Sequence, residues 1–153
     1  MATAYSAGLL DKLFRNSGTY GSPTLVLVDN IEDLNFMDER NEIVLKIRAK
    51  DHEAILTGQR KLSVEFKMTT DSSNTTWTAF QTAYLGHTTI ELFCFYYYID
   101  NAGAPAALSK AYRVICEVTK FPLSQPLETI DSGDVVCKPS ANASNAPSIY
   151  TAA

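Results

Sequence analysis

The sequence predicts a mainly β domain, an antiparallel β-sandwich or barrel with one flanking short α-helix. Three observations carry that expectation. Residues 60–68 alternate strictly, with Leu62, Val64, Phe66 and Met68 on one side and Lys61, Ser63, Glu65 and Lys67 on the other. That is the period-2 pattern of a strand with one buried and one wet face. Residues 76–85 carry Trp77, Phe80 and Tyr84 at helical spacing, which reads as a short amphipathic helix. The other apolar runs are strand-like, separated by turn residues, and follow one another without intervening helices, the order of an antiparallel β fold.

Taken in order, residues 1–8 are small and polar and read as a flexible N-terminal arm. Residues 9–15 fit either a first short strand or a helical turn. Residues 16–23 (Asn-Ser-Gly-Thr-Tyr-Gly-Ser-Pro) form a loop by their turn residues. Residues 24–36 read as one long strand with a bulge or bend at Asp29-Asn30. A charged turn follows over 37–41, a strand over 42–49, and a polar irregular connection over 50–59. Ser72, Ser73 or Asn74 can cap the helix and Gly86 suits its stop. A strand follows over 88–98, and residues 100–106, rich in Ala and Gly, suggest an exposed hairpin tip. Residues 111–121 and 127–138 supply the last two strands, the second interrupted at Ser132-Gly133. Residues 139–153 turn to Ser, Ala, Asn and Pro, a tail too polar and small to pack. About six strands and one helix result, within a single domain over 9–138.

The totals are those of one globular domain: 153 residues, 46% hydrophobic and 20% charged, enough chain to bury roughly 68–70% of its unfolded surface. The net charge of −4 argues against an electrostatic grip on nucleic acid, which needs clustered Lys and Arg. Cys94, Cys116 and Cys137 are odd in number and widely spaced, so neither a disulfide framework nor a zinc site is indicated. Each sits in an apolar run and reads as a buried free thiol. No apolar run has the roughly 18–20 residues of a membrane span, and no secretory signal is visible at the N-terminus.

Catalytic chemistry is not indicated. His52 and His87 lie in polar contexts without a Cys or His at ligand spacing and read as surface histidines. No nucleophile elbow, phosphate loop or dinucleotide fingerprint occurs. Asp29, Glu32, Asp33, Asp38, Glu39 and Glu42 cluster, but without the glycine turn of a calcium loop they read as a solvated acidic surface. Asn74-Thr75-Thr76 and Asn142-Ala143-Ser144 match the glycosylation sequon and are discounted without a secretory signal. No enzyme, cofactor or metal is expected. The row Lys61, Ser63, Glu65, Lys67 reads first as an ordinary solvated sheet face.

The order of the motifs adds a resemblance. Residues 11–23 (DKLFRNSGTYGSP) lead into 28–34 (VDNIEDL). The strand 62–68 (LSVEFKM) precedes Asp71 and the helix with Ala79-Phe80-Gln81-Thr82-Ala83. A later strand ends in Thr119-Lys120-Phe121, then Gln125-Pro126-Leu127-Glu128, and a final strand closes on Lys138-Pro139. Over residues 11–139 this ordered set resembles the major tail tube protein of long-tailed bacteriophages.

The resemblance implies a β-sandwich with a flanking helix, the phage tail tube fold. It implies six-subunit rings that stack into a hollow tube, through which DNA passes transiently and without specific binding. Implied partners are the chain itself, a tape measure protein, a tail terminator and tail-tip or baseplate proteins, with no membrane. The implied location is the virion tail, after synthesis in the host bacterial cytoplasm. Lys61, Ser63, Glu65 and Lys67 become candidate lumen-facing residues. Asp38, Glu39, Arg40, Arg48, Lys50 and Asp51 become a candidate inter-ring contact loop, and the two termini further ring-to-ring contacts. The other reading is a capsid-decoration or carbohydrate-binding module, motivated by the aromatic run over 93–98.

Overall fold

The computed structural model describes residues 3–5, 12–46, 52–70, 73–122 and 132–153. Its organising unit is the one expected: strand β5 (Ala54–Thr69), helix α1 (Thr75–Leu85) and strand β6 (Thr89–Asn101). Leu62, Val64, Phe66 and Met68 are all buried. Phe66 meets Phe80 of the helix edge-to-face, with ring centroids 5.5 Å apart. Each such ring taken from water contributes roughly 1.5–3 kcal/mol.

Helix α1 starts where Asn74 caps it, its Oδ1 accepting from the backbone N–H of Thr76 at 2.8 Å and of Trp77 at 3.3 Å. The helix stops at Gly86, whose N–H donates to the Thr82 carbonyl. Gly86 itself stays at φ −89°; the left-handed turn falls on His87, at φ 53°.

The sheet is antiparallel throughout and runs β3-β2-β6-β8-β9-β5-β4. Here β2 is Lys12–Asn16, β3 Leu25–Leu27, β4 Ile31–Leu45, β8 Lys110–Lys120 and β9 Ser132–Pro139. Short strands complete it: β1 (Thr3–Tyr5) and β7 (Ala104–Pro105) on β6, and β10 (Ser148–Thr151) on β8. The β6–β7 hairpin turns at Ala102 (φ 52°) and Gly103 (φ 83°), the two positive φ angles that a tight two-residue turn demands.

Central strand β6 is buried on both faces. Ile90, Leu92 and Cys94 join the main core, with Val64, Phe66, Val114, Cys116, Val135, Cys137, Trp77 and Phe80. Phe93, Phe95 and Tyr98 join a second core with Phe14 and Ala111, under Leu25, Leu27 and Tyr150. The aromatic run is therefore core on two sides; within it Tyr96 is the exposed ring, at 43%. Burial and the hydrogen bond it donates to Asp100 push the Tyr98 hydroxyl up to about 12. All three cysteines are buried. The Cys116 thiol is pushed well up by its contact with Cys137 and by burial.

Several expectations are corrected. Residues 24–36 are not one bent strand. The chain leaves β3 at one end of the sheet and re-enters as β4 at the other, and Asn30 and Thr69 exchange bonds where it crosses. Residues 37–41 are not a turn but the middle of β4, paired with β5 from Met37↔Ser63 to Arg40↔Arg60. They are exposed on both faces of the ribbon, so polar and charged residues run on through the strand without a break. The irregular connection expected over 50–59 is already strand β5 from Ala54. Residues 139–153 are not a loose tail: β10 pairs with β8, Tyr150 packs edge-to-face on Phe93 at 4.9 Å, and Ala152 is buried. In the N-terminal arm, Thr3–Tyr5 pairs with β6.

Candidate functional site

No catalytic constellation organises the described surface. His52 and His87 are exposed, and no group of three or more His, Cys, Asp or Glu stands close enough to hold a metal ion among the described residues. Among the described residues no helix is long and apolar enough to cross a membrane. The features that stand out are a mixed-charge sheet face, two free sheet edges and a protruding ribbon.

The sheet face is built on β5. Lys61 and Lys67 are exposed, and Ser63 and Glu65 half-buried, opposite the core row. The cross-strand neighbours on β4 are Glu39 for Lys61, Met37 for Ser63, Asn35 for Glu65 and Glu32 for Lys67. On β9, Val136 faces Glu65 and Asp134 faces Lys67. Lys67 lies 3.6 Å from Asp33, and Lys120 3.9 Å from Asp134. Opposite charges thus alternate across the strands, an arrangement that favours pairing and leaves no block of one sign to hold a polyanion. Asp33 takes φ 53° where the β4–β5 ladder slips between Glu32 and Asn35, and the slip swings its carboxylate toward Lys67.

The edges are β3 and β4, the two ends of the strand order, each paired on one side only among the described residues. A bare edge the length of β4 is a template for another chain.

The ribbon is the distal half of the β4–β5 hairpin. Every described residue from 37 to 46 is exposed, and between 52 and 61 only Ala54 and Gly58 are half-buried. From Phe36 to Leu45 it spans about 30 Å at the usual rise per residue. Its root is held by Phe36 stacked on Tyr112 and by a bidentate pair, Arg60 Nε to Asp38 Oδ1 at 2.8 Å and Nη2 to Oδ2 at 2.6 Å. That hydrogen bond, with lesser attraction from the Arg60 and Arg40 charges, holds the Asp38 carboxyl below its ordinary value. Farther out the ladder slips again between Arg40 and Glu42. There Gly58 sits so close to Asn41 that a Cβ would lie 3.3 Å from the Asn41 carbonyl oxygen. The tip exposes Ile43 (47%), Val44 (52%), Ile55 (61%) and Leu56 (53%). Successive strand residues point to opposite faces, so both sides of the tip are apolar.

Of the inter-ring residues expected from sequence, Asp38, Glu39 and Arg40 therefore lie on paired strands of this ribbon rather than in a loop. Arg48, Lys50 and Asp51 lie outside the described residues. Sequence reasoning missed a buried charge cluster. Arg113 on β8 pairs with Glu91 on β6, with side chains 10% and 11% exposed. Its guanidinium covers the Tyr20 ring at 3.6 Å and lies 5.1 Å from Phe93 and 5.9 Å from Tyr150. Glu91 also accepts from Asn16. The signal was a charge set between apolar residues in each of two strands, Glu91 in β6 and Arg113 in β8, but the register that joins them is not written in either.

No protein-family model and no curated protein sequence matches the chain. Solved structures do. The tail of an empty GTA particle, obtained by helical refinement with C6 symmetry, matches with TM-score 0.67 at 10% identity, over 97% of this chain and all of that one. The SPP1 tail tube, from solid-state NMR and cryo-EM, matches with TM-score 0.67 at 13% identity, over 88% of this chain and 75% of that one. At these identities the likeness is one of fold, and it agrees with the resemblance carried by the motif order: the chain has the tail tube fold.

Proposed function

We propose that this chain is a structural subunit of a virion or gene-transfer-particle tail. In this reading copies join into six-membered rings, the rings stack into a hollow tube, and DNA passes through the bore. The observation that carries it is the fold shared over 97% of the chain with the tail of a C6-symmetric GTA particle. The free β3 and β4 edges support it, because ring closure pairs edges that would otherwise aggregate. The exposed apolar ribbon supports it too, since an apolar patch rimmed by polar residues marks a contact surface. Other tail components at the ends and in the bore of the tube, a terminator, tip proteins and a tape measure, are the partners this role requires.

Within the tube, the row of Lys61, Ser63, Glu65 and Lys67 lines the bore. Its mixed charge gives a passing polyanion repeated weak contacts and no lasting hold. The ribbon carrying Asp38, Glu39 and Arg40 reaches the next ring. The carbohydrate-binding alternative is left with Tyr96 as the exposed ring of the aromatic run, because Phe93, Phe95 and Tyr98 are core residues.

Negative-stain microscopy of concentrated protein tests this reading: hollow tubes with a six-fold repeat are expected, and protein that stays monomeric under every condition overturns it. The bore assignment has its own test. The soluble subunit should leave duplex DNA unshifted at ~150 mM salt, where specific binders still hold. A steeply salt-dependent shift counts against a slippery bore.

A further inference from the structure

Asp33 and Lys120 both sit where the sheet breaks register. Along β4, Glu32 pairs with Lys67 and Asn35 with Glu65, one residue more than β5 supplies. Simple alternation from Glu32 would turn Asp33 to the core side. Instead Asp33 takes φ 53°, Leu34 packs on the main core, and the Asp33 carboxylate lies 3.6 Å from Lys67 on the wet face. Along β8, Val114, Cys116 and Val118 are core residues, and the same alternation would send Lys120 inward after them. The ladder slips between Val118 and Lys120, and the Lys120 ammonium comes out 3.9 Å from Asp134. Asp134 in turn faces Lys67 across the β9–β5 pair. Two bulges have thus re-aimed side chains. They complete a row, Lys120, Asp134, Lys67 and Asp33, that alternates in sign over four adjacent strands and lines one cleft.

Stability does not account for this row. All four side chains are at least half exposed, and pairs that wet contribute little, while the left-handed backbone at Asp33 costs energy. The other lysines of the face have acidic neighbours as well: Lys61 faces Glu39, and Lys138 faces Glu117. Glu32 and Glu65 add further carboxylates.

We propose that Asp33 and Asp134 are the residues that stop this face from retaining DNA, by holding Lys67 and Lys120 in pairs that a phosphate has to break. Their role in a bore rests on the tube reading; the pairing itself does not. Neighbouring strands lie about 4.8 Å apart, so a phosphate that reaches Lys67 has a carboxylate on each side of it. A phosphate at Lys120 meets Asp134.

The double variant Asp33→Asn/Asp134→Asn is compared with Asp29→Asn/Glu42→Gln, which makes the same change in net charge away from the row. Asparagine also tolerates the left-handed conformation, and urea unfolding followed by Trp77 emission reports that each variant is folded. Each soluble subunit is titrated onto a short labelled duplex at ~20 mM salt, where phosphate contacts are strongest. The row variant should bind at least about tenfold more tightly than the control, from about fivefold for each lysine released. Its salt dependence should be steeper by about 1.8 in the log–log slope, for two added phosphate contacts. Adding Lys67→Gln and Lys120→Gln should return the affinity to that of the control. Equal affinities for the two double variants overturn the proposal, and so does a gain that survives loss of both lysines. Tubes of wild-type protein with this face outward overturn the role in the bore even where the affinities differ as expected.

Discussion

Phe36 of β4 stacks face to face on Tyr112 of β8, with ring centroids 4.7 Å apart and planes 7° from parallel. The two strands lie at separate places in the sheet, with β9 and β5 between them. The stack therefore joins two strands that are not neighbours and packs against the main core, and it anchors the ribbon at the point where it leaves the body.

Phe36→Ala should destabilise the fold by about 2 kcal/mol, less than a fully buried phenylalanine because the ring is only half-buried. Urea unfolding followed by Trp77 emission measures it. Phe36→Leu should recover part of the loss, and a null effect for Phe36→Ala would show that the ribbon root is held without the stack.

Arg113 and Glu91 form a pair that is nearly out of water. Removing one partner strands the other charge, so Arg113→Met alone and Glu91→Leu alone should each cost about 3–5 kcal/mol. The double variant should be clearly more stable than the sum of the two, since no uncompensated charge remains. Additive losses in the double-mutant cycle would mean that the pair is not coupled. Arg113→Met should also loosen β10, because the guanidinium covers Tyr20 and Tyr150. Faster hydrogen exchange at Tyr150 reports it.

Gly133 opens β9 against Pro122. A Cβ there would fall 2.1 Å from the Pro122 Cβ and 2.7 Å from its Cγ, so the ring or the strand has to move. Gly133→Ala should cost about 1–3 kcal/mol by overpacking, and Pro122→Ala in the same chain should relieve part of it. Melting temperatures of the two variants and their combination decide the matter.

The Asp38–Arg60 pair predicts a pH response confined to acid. The folded carboxyl titrates below the ordinary value of 3.8, chiefly because Arg60 hydrogen-bonds its ionised form. The stabilisation is therefore fully present above that value and is lost as pH falls through the lowered one. The side chains are 36% and 32% exposed, so solvent screening keeps the contribution under about 1 kcal/mol. Amide exchange in the ribbon, corrected for intrinsic rates, should be protected equally at roughly pH 5 and roughly pH 7 and lose protection near pH 3. Asp38→Asn should lower the protection at pH 5 and flatten its loss on acidification.

How much was legible depended on whether a core imposed a pattern. Leu62, Val64, Phe66 and Met68 face a core, alternate for that reason, and were read correctly along with the helix that covers them. Met37 to Arg40 face water on both sides of a two-stranded ribbon, so no alternation survives and the charges resembled a turn. Ile149 and Tyr150 were too few to announce a strand; β10 exists because β8 has a vacant edge beyond β9 and because Phe93 and Arg113 receive Tyr150. The mixed-charge row was visible as a row. The acidic partners of Lys61 and Lys67 come from β4 and β9, through registers that only the folded sheet specifies.

Cryo-EM of tubes assembled from the wild-type chain tests the central claim most directly. The account predicts six copies per ring, with β5 turned so that Lys61, Ser63, Glu65 and Lys67 line the bore. Failure of the chain to form tubes, or tubes in which that row faces the outside, would contradict it.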